Sequence, residues 1–237
     1  MSIVEKIQQI AENQQLVYEA GQKSEYDRFW DEYQQNGTRT NYKFAFAGDA
    51  WVDKLHEMKY PIKFADASYT TRHCAHMFAY FHRDRTGLYD FTEMSKRIDF
   101  SGCKSAQALF NNACVDNITV DFSNVERLEQ TFTAGDGGGG ITSITITLTE
   151  KCTYFYNPFY YQSKLVNLIF TEGSVIAAAI SFAQCSSLSN DSVQSIINAL
   201  QDRTGLSALT VTFHTDVKSR MTEEQISQIA TKNWNIG

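Results

Sequence analysis

Histidine and cysteine crowd together once in this sequence, at His73, Cys74 and His76, with His82 a little further on. Those side chains bind zinc, but a closed site needs a full donor set at ligand spacing, and no C-x-x-C or C-x-x-H completes it. The run Ala134-Gly135-Asp136-Gly137-Gly138-Gly139-Gly140 has the glycine content of a phosphate loop. A phosphate loop continues into Lys-Ser/Thr and a helix; here Ile141 opens a threonine-rich strand, so the run reads as a flexible turn. Asp99, Asp121 and Asp136 invite an acid–base pair. Yet Asp99 and Asp121 recur within the same tripeptide, Asp-Phe-Ser, and read as turn formers. His214-Thr215-Asp216 has no nucleophile in a recognisable elbow. The five cysteines, Cys74, Cys103, Cys114, Cys152 and Cys185, show no disulfide or redox spacing and read as small buried residues. No catalytic, cofactor-binding or metal site is assigned. The chain reads as a non-enzyme.

The elements behind these residues are repeats. Val115-x-x-Ile118-x-Val120-x-Phe122 is followed by Ile141-x-x-Ile144-x-Ile146-x-Leu148, then Leu165-x-x-Leu168-x-Phe170, then Leu206-x-x-Leu209-x-Val211-x-Phe213. The starts lie 26, 24 and 41 residues apart. Each copy has two apolar anchors three apart and then the alternation of a strand with one buried face. Flanking residues agree, since Asp99-Phe100-Ser101 returns as Asp121-Phe122-Ser123, and Leu109-Phe110 returns as Thr131-Phe132, both 22 residues later. Spacings in this range belong to repeat architectures, in which each unit buries its apolar side on the next. A degenerate first unit spans residues 62–96, where Asp66-Ala67-Ser68 matches Asp99-Phe100-Ser101 and Met77-Phe78 matches Leu109-Phe110.

L-x-x-L-x-L segments followed by Ala106 to Phe110 then Cys114, and by Ala179 to Phe182 then Cys185, resemble the BspA-like leucine-rich repeats. The whole chain is similar to a group of such proteins encoded by phages and prophages of gut bacteria, through Thr40 to Trp51, the repeats, and Met221 to Trp234. The resemblance implies an α/β solenoid, a right-handed leucine-rich-repeat coil with a parallel sheet, and a phage setting. It implies no reaction.

The chain has 237 residues, 43% of them hydrophobic, enough for a substantial core. Net charge −6 and scattered basic residues argue against nucleic acid and anionic membrane as partners. No 18-residue apolar stretch offers a membrane span, and Glu5 and Lys6 beside Ile3 and Val4 do not make a secretory signal. Synthesis in the cytoplasm is expected, with later incorporation into a virion compatible.

Residues 1–36 read as an N-terminal coiled-coil helix, with a helix folded back on its own domain as the alternative. Ile3, Ile7, Ile10, Gln14 and Val17 form a narrow seam, isoleucine at both seam positions favours a trimer over a dimer, and Gln14 sets register. Residues 37–61 read as the N-terminal cap of the repeats at 62–215. Ser189-Asn190-Asp191 starts a helix whose face is Val193, Ile196, Ile197 and Leu200, expected at the rear of a repeat and closed by Gly205. Residues 216–237 read as a C-terminal cap. There Thr222-x-x-Gln225 is a capping box, Ile226, Ile229 and Ala230 form a stripe, and Trp234 and Ile236 seal the last repeat.

Between the inward strand residues lie Thr119 and Asp121, Thr145 and Thr147, Asn167 and Ile169, Thr210 and Thr212. Stacked repeats place them on one strand face, a candidate surface for a protein or saccharide, although threonine favours exposed strand positions in any case. The aromatic run 154–161 is a further exposed candidate. Two readings follow. One is a non-enzymatic phage structural or adhesion protein, oligomerised through its first helix; the other is a soluble, monomeric intracellular protein-interaction module.

Overall fold

The computed structural model describes residues 6, 8–9, 62–63, 75–82, 86–135 and 140–237. The proposed seam residues Ile3, Ile7, Ile10, Gln14 and Val17, and the proposed N-terminal cap, lie outside the described residues. Lys6, Gln8 and Gln9 are helical and exposed. The elements run β1 (Ile62–Lys63), β2 (Tyr89–Asp90), α1 (Thr92–Arg97), β3 (Ile98–Asp99), β4 (Val115–Asp116), β5 (Ile118–Phe122), β6 (Arg127–Glu129), β7 (Ser143–Leu148) and β8 (Tyr154–Tyr156). After them come β9 (Asn167–Phe170), β10 (Ile180–Phe182), α2 (Asn190–Ala199), β11 (Leu209–Phe213), α3 (Thr215–Ser219), α4 (Glu223–Thr231) and β12 (Trp234–Ile236). This is an α/β protein of several parallel sheets and few helices. Among the described residues there is no closed barrel, and no helix is long and apolar enough to cross a membrane.

The central sheet, β5–β7–β9, pairs three copies of the repeated pattern. Ile118 faces Ile144 and Phe122 faces Leu148, while Ile144 faces Leu168 and Ile146 faces Phe170. Every second residue points inward, so Ile118, Val120, Phe122, Ile144, Ile146, Leu148, Leu168 and Phe170 are buried, as are the anchors Val115, Ile141 and Leu165. Burying one such side chain fully is worth about 1.5–3 kcal/mol, and sharing one phase across strands makes the gains add on a single side.

A second ladder runs through phenylalanines. The rings of Phe78, Phe110, Phe132, Phe159, Phe182 and Phe213 stand in file, with successive centroids 5.3, 5.7, 5.4, 5.2 and 5.9 Å apart. Backbone bonds carry the same step: Phe78 N–H donates to the Leu109 carbonyl, Phe110 to Thr131 and Phe132 to Pro158, each at 2.8 Å. Two residues before a ring, His76, Ala108, Gln130 and Asn157 all have φ between 47° and 56°. Left-handed backbone costs a non-glycine residue about 1–2 kcal/mol. The stacked rings and inter-turn hydrogen bonds offset it.

The structure corrects the sheet to which the fourth copy belongs, while Val211 and Phe213 keep the expected inward phase. β11 pairs with β10 and β12, not with the central sheet: Val211 faces Ile180, Phe213 faces Phe182, and Leu209 faces Trp234. Leu206, expected as an anchor, is 56% exposed. The place beside β9 is taken by α2, so that helix lies next to the central sheet and not at a rear turn. Alternation records which face of a strand is buried; it does not record which of two ladders the strand joins. α2 ends at Ala199, and Gly205, at φ +81°, serves a separate turn closed by the Leu206 N–H bond to the Arg203 carbonyl. In the first unit Lys63 lies beside Asp99, and Asp66 is outside the described residues.

The C-terminal cap keeps its capping box between Thr222 and Gln225. Its buried residues are Gln225 and Ile229, whereas Ile226 is 45% exposed and Ala230 is exposed. Trp234 is buried and donates its indole N–H to the Gln201 carbonyl at 2.8 Å; Ile236 is half-buried. Lys232 closes the end of α2, donating to the carbonyls of Ile197, Asn198 and Leu200 at 2.7–2.9 Å. A cation there answers the partial negative charge of a helix C-terminus.

Cys103 is disulfide-bonded, a pairing that cysteine spacing did not reveal. Cys114, Cys152 and Cys185 are buried thiols. Burial pushes the thiols of Cys152 and Cys185 up to about 12. Because the thiolate is the reactive form, neither should be modified by a thiol-specific maleimide at pH 8 in the folded protein. Both should label on unfolding in urea, as intact mass before and after denaturant will read.

Candidate binding face

The outward side of β5–β7–β9 carries two rows of side chains in register. Thr119 lies beside Thr145 and Thr145 beside Ile169; one residue pair further along, Asp121 lies beside Thr147. Thr171 extends that second row, its hydroxyl 2.9 Å from that of Thr147. Asn167 sits next to Ser143, a step before the first row. Thr119, Asp121, Asn167 and Ile169 are exposed, and Thr145 and Thr147 half-buried. Thus six of the eight expected face residues share this sheet. Thr210 and Thr212 do not: they lie on β11, beside Asn235 and Ser181. There the chain end folds over them, since a Cβ on Gly237 would fall 2.7 Å from the Thr212 hydroxyl and 3.1 Å from Thr210 Cγ2. They left the set for the reason β11 did.

Both edges of the sheet are closed by helix serines. On one side Ser95 of α1 accepts the Thr119 N–H at 2.8 Å. On the other, Ser192 and Ser195 of α2 accept the N–H groups of Leu168 and Phe170, each at 2.8 Å, and Ser192 donates to the Val166 carbonyl at 2.8 Å. An open strand edge is a row of unpaired donors and acceptors that templates aggregation. Here hydroxyls on a helix stand in for the missing strand. Sequence reading passed over these serines because serine is an indifferent helix former. Ser192 and Ser195, three apart on the border of the apolar face, were the available signal.

Next to α2 the face deepens into a groove of about 550 Å3, lined by Ile169, Thr171, Glu172, Asp191, Gln194 and Asn198 among others. The aromatic run forms a different surface. Tyr154 and Tyr156 on β8 are exposed beside Arg127 and Glu129 of β6, with the Arg127 guanidinium 4.0 Å over the Tyr154 ring; Phe159 is buried in the ring file and Tyr161 exposed.

The residues with chemical potential take structural places. Asp99 accepts the Ser101 N–H at 3.0 Å and Asp121 the Ser123 N–H at 2.9 Å, the turn role expected of them. Asp90 and Asp202 make the same turn toward Thr92 and Thr204, and those hydrogen bonds hold both carboxyls below the ordinary range. His214 caps α3, its Nδ1 accepting the Asp216 N–H at 3.1 Å. Gln162, wholly buried, ties the end of the glycine run to the ring file: its Oε1 accepts the Ile141 N–H at 3.0 Å and its Nε2 donates to the Phe132 carbonyl. His73, Cys74 and the glycines at 137–139 lie outside the described residues, and among the described residues no His/Cys/Asp/Glu group forms a metal cluster.

Thr145 tests the assignment of faces. Its hydroxyl points away from the core, so Thr145→Ala should cost under about 1 kcal/mol in urea denaturation. Phe122→Ala on the inward side should cost about 3–5 kcal/mol. Equal midpoints would contradict the phase.

Comparison of the chain with protein-family models, curated proteins and solved structures finds no match.

Proposed function

We propose that the chain is a BspA-like leucine-rich-repeat protein of the phage or prophage type, non-enzymatic, with a structural or adhesive role. In this reading the repeats form a right-handed solenoid that presents the β5–β7–β9 face to a protein or saccharide, and the first helix gathers copies into an oligomer, a trimer by preference. The observation that carries it is the pair of in-register rows on that face, Thr119–Thr145–Ile169 and Asp121–Thr147–Thr171, on a sheet secured at both edges. A rigid parallel sheet displays side chains at fixed spacing and loses little freedom when it binds. The phage setting comes from the sequence resemblance alone.

Solution mass by light scattering tests the assembly: the full chain should be trimeric, and removal of residues 1–35 should leave a monomer. A monomeric full chain would favour the alternative, a lone interaction module. Binding to bacterial envelope preparations tests the face. Thr145→Arg, at the centre of the rows, should abolish it, whereas Ser219→Arg on the distal cap should not.

A further inference from the structure

The groove beside α2 has a chemistry narrower than the face it borders. Its floor is the outward side of Ile169 and Thr171, and its wall is α2, with Asp191, Gln194 and Asn198. Glu172 enters from the turn after β9. At about 550 Å3 it lies within the roughly 300–1,000 Å3 usual for small-molecule sites.

Charge excludes one class of occupant. Among the described residues the only ionic side chains in the lining are Glu172 and Asp191, so a phosphate, sulfate or sialic acid would meet two like charges with no cation among those residues to offset them. Among the described residues, neither carboxylate has a hydrogen bond or ion pair within the chain. Hydrogen-bond capacity narrows the choice further. Gln194 Nε2 donates to Asn198 Oδ1 at 2.9 Å and to Gln228 Oε1 at 2.8 Å. That leaves Gln194 Oε1 as an acceptor and Asn198 Nδ2 as a donor. An ammonium group needs acceptors only and would leave the Asn198 donor unanswered. A hydroxyl both donates and accepts, and matches a wall that alternates the two. Ile169, 37% exposed, supplies an apolar patch of the kind that receives the C–H face of a sugar ring.

We propose that this groove is a binding subsite for a neutral saccharide. Asp191 and Glu172 accept from ring hydroxyls, Asn198 donates to one, and Ile169 supports the ring's apolar face. The proposal rests on the reading of the β5–β7–β9 face as a binding surface, and assigns its ligand class.

The test uses the full chain, fluorescently labelled, on immobilised glycans. The neutral probes are chitotriose, cellotriose, maltotriose and mannotriose; the comparison probes are a sialylated trisaccharide, a sulfated one and an oligolysine peptide. The expected result is binding to at least one neutral glycan and to neither acidic one, weakened about tenfold or more by Asp191→Asn and by Asn198→Ala. Both substitutions are on the exposed side of α2, and thermal melting of each variant checks that the fold is kept. Absence of binding to every neutral probe overturns the proposal. So does retention by oligolysine in place of sugar, or binding indifferent to both substitutions. If the groove variants bind normally and Thr145→Arg does not, the subsite is wrong and the face reading stands. If Thr145→Arg also binds normally, both fall.

Discussion

Replacing Phe132 with alanine is expected to remove about 3–5 kcal/mol of stability, a large part of the roughly 5–15 kcal/mol that holds a typical domain together. The ring lies between Phe110 and Phe159, with centroids 5.7 and 5.4 Å away and planes within 6° and 7° of parallel. It also meets Phe122 of the central sheet at 6.2 Å, so one side chain joins the two ladders. Truncation loses the apolar transfer term and leaves a void. The void cannot close cheaply, because the Phe110 and Phe132 amides hold the flanking turns at fixed separation through their bonds to Thr131 and Pro158. Interrupted ring contacts, about 0.5–1.5 kcal/mol each, push the cost toward the upper end. Urea denaturation reads it as a lower midpoint. An unchanged midpoint would mean the rings do not stand in file.

Removing the hydroxyls of Ser192 and Ser195 together should also destabilise strongly, although alanine is the better helix former. Two effects compete. Alanine gains about 0.5 kcal/mol of helix propensity at each site. Against that, the Leu168 and Phe170 N–H groups lose the hydroxyls that answer them at 2.8 Å, while the Val166 carbonyl keeps the Ser189 N–H at 2.9 Å. A buried polar group left without a partner costs about 1–3 kcal/mol, so the orphaned groups outweigh the propensity gain and a net loss of about 2–4 kcal/mol is expected. Thermal unfolding gives the size. Hydrogen exchange gives the place, because the Leu168 and Phe170 amides should lose protection while Ile144 and Ile146, bonded within the sheet, keep theirs. A variant as stable as the parent, with those amides still protected, would show that the helix does not seal the strand.

The groove and the face came differently into view. Thr119, Asp121, Thr145, Thr147 and Ile169 were legible because a residue between two buried strand neighbours must point outward. Glu172, Asp191, Gln194 and Asn198 were not. They come from a turn and a helix more than fifteen residues apart, and no local period joins them until α2 takes the place beside β9.

What the sequence determined alone is whatever a strand's period and a helix's termini express within a few residues. The phase of β5, β7 and β9, the apolar face of α2 from Val193 to Ile197, the Ser189 and Thr222 caps and the turn roles of Asp99 and Asp121 are of this kind. Each rests on side-chain direction or a hydrogen bond to a near neighbour. The tertiary structure decided which ladder each strand joins, and with it that β11 leaves the central sheet and takes Thr210 and Thr212 away. Two parallel ladders offer an alternating strand the same buried side. The choice falls to distant neighbours: the Phe182 ring that receives Phe213, and the serines by which α2 holds the edge that β11 would otherwise have filled.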